Sequence, residues 1–513
     1  MKILSAEEIR LWDQYTIEHE PITSIDLMER AAGKCVDWLE GNGYVEKSFS
    51  VFCGKGNNGG DGLAVARMLA EKKNKVCVYI VETGQNSSTD FLTNLERIKK
   101  LPVPVHFIQS KENFPEISEG DIIIDSIFGT GLNRTPEGLA AKTIEHINWR
   151  CRIYGNEIIS VDMPTGMFDD ISSKGSTIIK ATHTLSFQCY KPAFLVAENS
   201  AYMGNVHILD IGLHPGFFES VSVYVPYEMI DGELISSIYK PRDPFAHKGK
   251  FGHALLVGGS YGKMGAAVLA AKACLRSGVG LLTCHIPSCG YEIMQRTVPE
   301  AMVTTDINSS VITKIVTDSY RDDRLKFTAV GIGPGMGTGS ETKNALKEFM
   351  LATAIPMVLD ADALNCIASD DEMFSFVPHF SILTPHPKEF ERLFPNEIKN
   401  EFERFELAMA KAKELEMIIV LKGHHTLIAT PEGKGYFNST GNAGMAKGGS
   451  GDVLTGIITA LVAQNYYCRD AAILGVYLHG LGGDITAKKN SQEAMIAGDI
   501  IENLGAAFSS LNP

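Results

Sequence analysis

The stretch GNAGMAKGGSGDVLTG, residues 441–456, decides how the second half of this 513-residue chain is read, because six of its sixteen positions are glycine. A run so rich in the residue that tolerates any backbone conformation predicts a loop. The glycines give way to an apolar pattern of helical period at Val453, Leu454, Ile457, Ile458, Leu461 and Val462, so residues 447–452 are expected to bend into a helix N-terminus. The unpaired N–H groups of such a start carry about half a unit of positive charge and bind phosphate without many basic side chains. Asp452 has two readings. A carboxylate in the first turn caps a helix. Set beside a phosphate-binding nest, it can also take a proton from a hydroxyl that attacks a phosphoryl group.

Length predicts two or three cores rather than one. An apolar content of 44% is ordinary for a soluble protein, and no apolar run approaches the roughly 20 residues a membrane span needs. A formal charge of −14 argues against nucleic acid as a partner. Small molecules remain, and anionic ones must be held by local backbone donors against a repulsive overall field. Ten cysteines form no CxxC pair and the start is not signal-like, so free thiols in a reducing cytoplasm are expected. A homo-oligomer is expected as well.

In the first half, Ser5 and Glu8 predict a capping box for a helix carrying Ile9, Leu11, Trp12 and Tyr15, in which nothing catalytic is evident. Residues 24–40 predict a second helix whose stripe of Leu27, Met28, Ala31, Ala32, Cys35 and Val36 reads as core. The stretch SVFCGKGNNGGDGLAVARMLA, residues 50–70, reads as strand, glycine nest and helix. Gly54, Gly56 and Gly59 fit a dinucleotide-binding pattern, and Glu82 stands about where a ribose-binding acid would sit. Asn57, Asn58 and Asp61, however, crowd the nest with polar oxygens where a dehydrogenase loop is mostly small and apolar.

Two further strand ends finish in acids: IIIDSIFGTG with Asp125, and EIISVDMPTG with Asp162 and Thr165. Ligands of an open parallel sheet sit beyond the carboxyl ends of its strands, so these loops should converge on the glycine nest. Asn58, Asp125 and Thr165 then offer hard oxygens with one negative charge, a set suited to a monovalent cation, or else they cap their loops. Asp162 stays free as acid or base.

GxGNNGGDG, DSIFGTG and SVDMPTG together resemble the NAD(P)H-hydrate epimerase domain, over about residues 1–220. The resemblance implies a Rossmann-like domain that interconverts the R and S epimers of hydrated NAD(P)H (NADHX and NADPHX) with one potassium ion. It places Asn58, Asp125 and Thr165 around the ion. Asn57, Asn58, Gly59, Gly60, Asp61, Gly129, Thr130, Gly131, Leu132, Asn133, Arg134, Thr135 and Asp162 would bind the hydrate, with Asp162 moving a proton at the carbinol carbon. Threonine stands at 165 where serine is the commoner residue, which still leaves a hydroxyl oxygen.

Scattered prolines from about 213 to 244 mark a domain junction. Beyond it HALLVGGS opens a glycine-punctuated α/β pattern that is not a P-loop, since Gly258 lies five residues before Lys263 and Met264 replaces the required Ser or Thr. Ala266, Ala267, Ala270, Ala271 and Ala273 predict a helix packed closely on a sheet. TAVGIGPGMGTG, PMVLDADALN, SILTPHPKEF and IIVLKGHHTLIA each follow an apolar strand with polar or glycine residues, which predicts a parallel sheet. His386, between two prolines, should have its backbone held extended, with a ring that can be aimed at a ligand.

HKGKFG, GPGMG, LDADALN, LTPHPKEF and GGSGD resemble, in order and over about residues 226–510, the ADP/ATP-dependent NAD(P)H-hydrate dehydratase, whose fold is ribokinase-like. The resemblance implies that Ala266, Gly335, His386 and Asp452 face the hydrate. Lys422, Gly423, His424, His425, Thr426 and Gly451 would hold ADP or ATP, with Mg²⁺ on its phosphates. The whole chain is thus similar to the bifunctional repair enzymes: phosphorylation of the hydrate's hydroxyl, with Asp452 as base, turns it into a leaving group. The alternatives are a ribokinase-like small-molecule kinase fused to a dinucleotide-binding or interaction module, and a dehydrogenase using residues 54–59.

Overall fold

The computed structural model describes residues 1–84, 86–221, 225–315, 327–370 and 372–511. Contacts divide the chain into two compact units, residues 2–225 with 400–402, and Met1 with 226–399 and 403–513.

The first unit is built on seven strands, β1 (Ser48–Cys53), β2 (Lys75–Val81), β3 (Val105–Ile108), β4 (Ile122–Ser126), β5 (Ile158–Val161), β6 (His183–Phe187) and β7 (Asn205–Leu209), in the order β3-β2-β1-β4-β5-β6-β7. Every neighbouring pair is parallel. Such strands are buried on both faces and read as unbroken apolar runs, as SFSVFC and IIIDS do. The strand order reverses between β1 and β4, and a crevice opens beyond their carboxyl ends at such a reversal. The glycine nest after β1 and the loop after β4 meet there closely enough that a β-carbon on Gly54 would lie 2.0 Å from the Ile127 carbonyl oxygen. The expected helices form as Ala6–His19, with its Ser5/Glu8 capping box, and Ser24–Gly41, whose apolar stripe is buried. Leu11, by contrast, faces solvent, because it falls on the side of the first helix opposite Trp12 and Thr16.

The second unit has ten strands: β8 (Tyr227–Met229), β9 (His253–Val257), β10 (Leu281–Ile286), β11 (Met302–Thr305), β12 (Ala329–Ile332), β13 (Met357–Leu359), β14 (Ile382–Leu383), β15 (Ile418–Leu421), β16 (Leu427–Ala429) and β17 (Gly435–Phe437). Their order is β11-β10-β9-β12-β13-β14-β15-β16-β17-β8, with the reversal between β9 and β12. The parallel sheet expected from the sequence forms from β11 through β15, and the two pairs beyond it differ. β15–β16 and β16–β17 pair antiparallel. Only residues 422–426 join β15 to β16, too few for the crossover that a parallel pair requires.

The glycine-rich stretch does open a helix, Ser450–Ala463, with Gly449 as N-cap in the left-handed region at φ 92°. That helix is buried almost all round. The alanine-rich helix Met264–Arg276 makes its closest approach to it rather than to the sheet: a β-carbon on Gly456 would fall 2.1 Å from the Ala270 carbonyl oxygen and 2.9 Å from the Ala273 β-carbon. Glycine against alanine lets the two backbones touch, while the Ser450–Ala463 helix packs on the interior strands β9, β12 and β13.

Candidate active sites

In the first unit a cavity of about 830 Å³ lies at the sheet reversal. Asn57, Asn58 and Asp61, the loop residues 129–135, and Asp162 all line it, so the residues expected to hold a hydrate come together, whereas Gly59 and Gly60 stay behind the wall. Gly59 is there for packing: a β-carbon on it would lie 1.9 Å from the Gly54 carbonyl oxygen. Glu82 does not line the cavity. Its carboxylate pairs with Lys55 Nζ at 2.9 Å.

Asp162 follows β5 with a left-handed backbone, φ 69°, uncommon outside glycine and a mark of a position fixed by its surroundings. Its Oδ1 accepts from Lys191 Nζ at 2.8 Å and its Oδ2 from the Thr130 N–H at 3.0 Å. Burial alone would raise its pKa, but the Lys191 ammonium and these hydrogen bonds win, and the carboxyl is held below its ordinary range. Asp61 is the reverse case: burial, then the Asp162, Asp13 and Asp90 charges, push it well up. Asp13, from the first helix, is raised by burial and by Asp162 to about 7, against the opposing pull of Lys191. Of the three aspartates in the cavity, Asp162 is thus held toward its ionised form, and Asp13 and Asp61 are driven toward their protonated forms.

Behind this wall Asp125 is fully buried. Its Oδ1 accepts from Thr165 Oγ1 at 2.6 Å, and its Oδ2 from the Thr165 N–H at 2.9 Å and Ser160 Oγ at 2.7 Å. Burial outweighs these bonds and leaves the carboxyl raised, a state that a cation beside it would reverse. Asn58 supplies the test of fit. Both polar atoms of its side-chain amide are buried without a hydrogen-bond partner, and a β-carbon on Gly129 would lie 3.3 Å from Asn58 Oδ1 and 2.5 Å from Asp162 Oδ2. A buried amide oxygen without a partner is a free ligand of the kind a monovalent cation takes. Among the described residues no three His, Cys, Asp or Glu side chains form a metal cage.

In the second unit the loops after β9, β12, β13, β14 and β15 gather at one sheet end. The Gly259 N–H donates to the Pro334 carbonyl at 2.7 Å, Gly337 N–H to Asp362 Oδ2 at 2.9 Å, and Lys422 N–H to the Pro385 carbonyl at 2.9 Å. Gly335, at φ 63°, comes up against Ala266: a β-carbon on the glycine would sit 3.1 Å from the alanine's. Asp452 is the third residue of the Ser450–Ala463 helix, yet its carboxylate accepts no hydrogen bond from any described residue. It is not a cap. Burial and the Asp360 and Asp362 charges raise it to about 6, with Lys422 opposing.

Lys422 lies at the centre of this cluster, with Nζ 2.9 Å from Asp360 Oδ1 and 3.8 Å from Glu389 Oε2. A β-carbon on Gly451 would be 3.4 Å from the same nitrogen, so the helix N-terminus and the ammonium adjoin. Asp360 stands at the N-cap of the helix Ala361–Ala368 but spends its side chain on Lys422 and, at 2.8 Å, Thr455 Oγ1. His386 is extended, as its flanking prolines predict. Its Nδ1 caps the helix Pro387–Leu393, accepting from the Lys388 and Glu389 N–H groups, and its Nε2 lies 3.4 Å from the Glu389 Oε1. The buried Thr426 hydroxyl closes the 423–426 turn through Gly423. Gly423 and His424 are the exposed members of that turn, while His425 Nδ1 lies 3.0 Å from the Asn438 carbonyl.

Two family models match the chain, one described as the YjeF-related protein N-terminus over residues 24–193 and one as NAD(P)H-hydrate dehydratase over residues 254–505. The bifunctional NAD(P)H-hydrate repair enzyme of Moorella thermoacetica is 34% identical over 521 residues, spanning all of this chain and 97% of that one. The chain belongs to the bifunctional NAD(P)H-hydrate repair enzyme family. The Escherichia coli repair enzyme is 30% identical over 502 residues, 97% of this chain and 92% of its own. Among solved structures, the ADP/ATP-dependent NAD(P)H-hydrate dehydratase of Bacillus subtilis, co-crystallized with ATP/Mg²⁺, is 30% identical and covers 55% of this chain and 98% of its own, with a TM-score of 0.49.

In this member of the repair enzyme family the sequence reading overlooked Asp13, Lys191 and Asp360. Asp13 sits on a helix whose capping box and apolar residues explained it completely. Lys191 is a lone lysine in a loop after β6, and Asp360 has the spacing of an ordinary helix cap. For Asp13 the available signal was its lack of any role in the apolar stripe. For the other two, only the fold reveals that each neutralises a buried partner.

Proposed function

We propose that this chain repairs hydrated NAD(P)H with two sites, the first unit epimerising the R and S hydrates and the second dehydrating the S form to NAD(P)H at the expense of ADP or ATP. The observation that carries the reading is Asp452: a carboxylate in the first turn of a glycine-opened helix that caps nothing, raised to about 6 and free to accept a proton. Around it, the N-terminus of the Ser450–Ala463 helix and the Lys422 ammonium supply positive potential for a transferred phosphoryl group. Asp452 would take the proton of the hydrate's hydroxyl as that oxygen attacks the terminal phosphoryl group. The ring nitrogen lone pair then expels phosphate, and loss of a ring proton restores the reduced nicotinamide. Ala266, Gly335 and His386 would face the hydrate, and Lys422, Gly423, His424, His425, Thr426 and Gly451 the nucleotide. Mg²⁺ would arrive on the nucleotide's phosphates, since Asp360 is already paired with Lys422 and Thr455.

In the first unit Asp162 would be the base at the carbinol carbon, and Asn58, Asp125 and Thr165 would hold potassium, whose charge would keep Asp125 ionised and fix the cavity floor. We assign residues 1–220 to the epimerase and 226–510 to the dehydratase. The test is to incubate the protein with mixed R and S NADPH hydrate, nucleotide, Mg²⁺ and K⁺ and to follow the absorbance of reduced nicotinamide. Recovery of nearly all of it supports both activities; recovery that stops at the S share leaves only dehydration. A stable phosphoester product would instead favour the small-molecule kinase.

A further inference from the structure

The helix Ala6–His19 forms one wall of the first-unit cavity through Ile9, Arg10 and Asp13. Its fold is explained without Asp13. The capping box starts it, Trp12 and Thr16 bury its inner face, and the Thr16 hydroxyl returns to the Trp12 carbonyl. The Asp13 carboxyl makes no hydrogen bond or ion pair with any described residue; the residue is half-buried and lines the cavity that holds Asp162.

We propose that Asp13 is a second catalytic residue of epimerisation, the acid that protonates the departing hydroxyl on one face of the carbinol carbon while Asp162 receives the proton of the water that adds to the other. The proposal rests on reading this cavity as the epimerase site. Inverting one carbon by exchange of its hydroxyl needs a donor and an acceptor on opposite faces. The Asp13 carboxyl gives its proton to the hydroxyl oxygen as the C–O bond breaks, water leaves, and the ring nitrogen lone pair closes a C=N bond. Water then forms a new C–O bond on the opposite face and loses a proton to the Asp162 carboxylate. A cavity water returns that proton to Asp13. One water leaves and one enters, and nothing is oxidised or reduced.

The environments agree with the roles. Asp162, Lys191, Asp61, Arg10, Arg134 and Glu137 are the charged groups that share the cavity with Asp13 or act on it electrostatically. Burial and Asp162 hold Asp13 protonated up to about pH 7, while Lys191 holds Asp162 ionised. Carboxyls whose surroundings drive their pKa values apart mark an acid and its base.

The experiment uses the full chain with purified R hydrate and K⁺, without nucleotide, and follows the S epimer by chromatography. Asp13→Asn keeps size and shape but cannot donate an acidic proton. A fall in kcat of about a hundredfold or more with KM changed less than about threefold is expected, with partial rescue by Asp13→Glu. The wild-type rate should decline above about pH 7 as Asp13 loses its proton, and the surviving Asp13→Asn rate should lack that decline. In ¹⁸O-water the wild type should incorporate one oxygen atom per inversion, a readout that needs no variant to fold. Wild-type protein that fails to interconvert the epimers refutes the site itself. Where the wild type does epimerise, a normal kcat and alkaline decline in Asp13→Asn, or inversion without oxygen exchange, refutes Asp13 alone.

Discussion

The Lys191 ammonium nitrogen lies 2.8 Å from Asp162 Oδ1, and the lysine side chain is only 1% exposed, so a buried cation holds in its charged form the carboxylate that faces the cavity. The pair ties the loop after β6 to the strained residue after β5, and it fixes the charge of the site before any ligand arrives.

Breaking that pair should be costly and pH-dependent. Lys191→Met leaves Asp162 buried without its partner, a loss of about 3 to 5 kcal/mol for a pair of this kind. The folded pKa of Asp162 lies below 3.8, so its share of the stabilisation is complete above that pH and is lost as pH falls through the folded value. Lys191 lies above 10.5, so its share is complete below that pH and is lost as pH rises through its own folded value. Urea unfolding should therefore show the Lys191→Met deficit in full at pH 7 and less of it at acid pH, where Asp162 can take a proton instead. An equal deficit at both would mean that lost packing, not charge, dominates.

For the cation site, Asp125→Ala removes the one fixed negative charge among the three candidate oxygens. Thermal unfolding of the wild type should shift upward with K⁺, and the variant should show no shift and epimerise far more slowly. Asn58→Leu should remove the same shift, because its amide is the group without a partner. An Asp125→Ala protein that still responds to K⁺ would assign these residues to loop geometry alone.

Glu82→Ala is expected to change little. Its pairing with Lys55 is partly exposed, at 28% and 21%, a kind of contact that contributes about 0 to 1 kcal/mol. Epimerisation by this variant should stay within about twofold of wild type; a larger rise in KM would make Glu82 a substrate ligand.

Much of this could be read from the chain because glycine and acid positions at strand ends are local signals. The nest after β1, the Asp125 and Asp162 loops and the helix after the stretch 441–456 all stand where their residues imply. What escaped was whatever depends on a partner distant in sequence. Lys191 is 29 residues from Asp162, and Asp360 is 62 from Lys422. No period or cap signal encodes such a pairing. Asp452 shows the same limit in reverse, since its position fits a cap and only the absent hydrogen bond excludes one.

Asp452→Asn tests the stretch around which the second unit is built. Asparagine keeps the size of aspartate but cannot accept the hydroxyl's proton, and losing such a base costs about 10² to 10⁴ in rate. Dehydration should fall at least about a hundredfold while nucleotide still binds and epimerisation continues. In the wild type the base form grows as pH rises through about 6, so dehydration should weaken below that pH. Stability should move the other way. The raised pKa means that ionised Asp452 opposes folding above about pH 6, through burial and repulsion from Asp360 and Asp362. Removing that charge should leave the melting temperature of the second unit at pH 7 unchanged or higher. A slower and less stable Asp452→Asn protein would point to a structural role; a variant that dehydrates at the wild-type rate would place the base elsewhere.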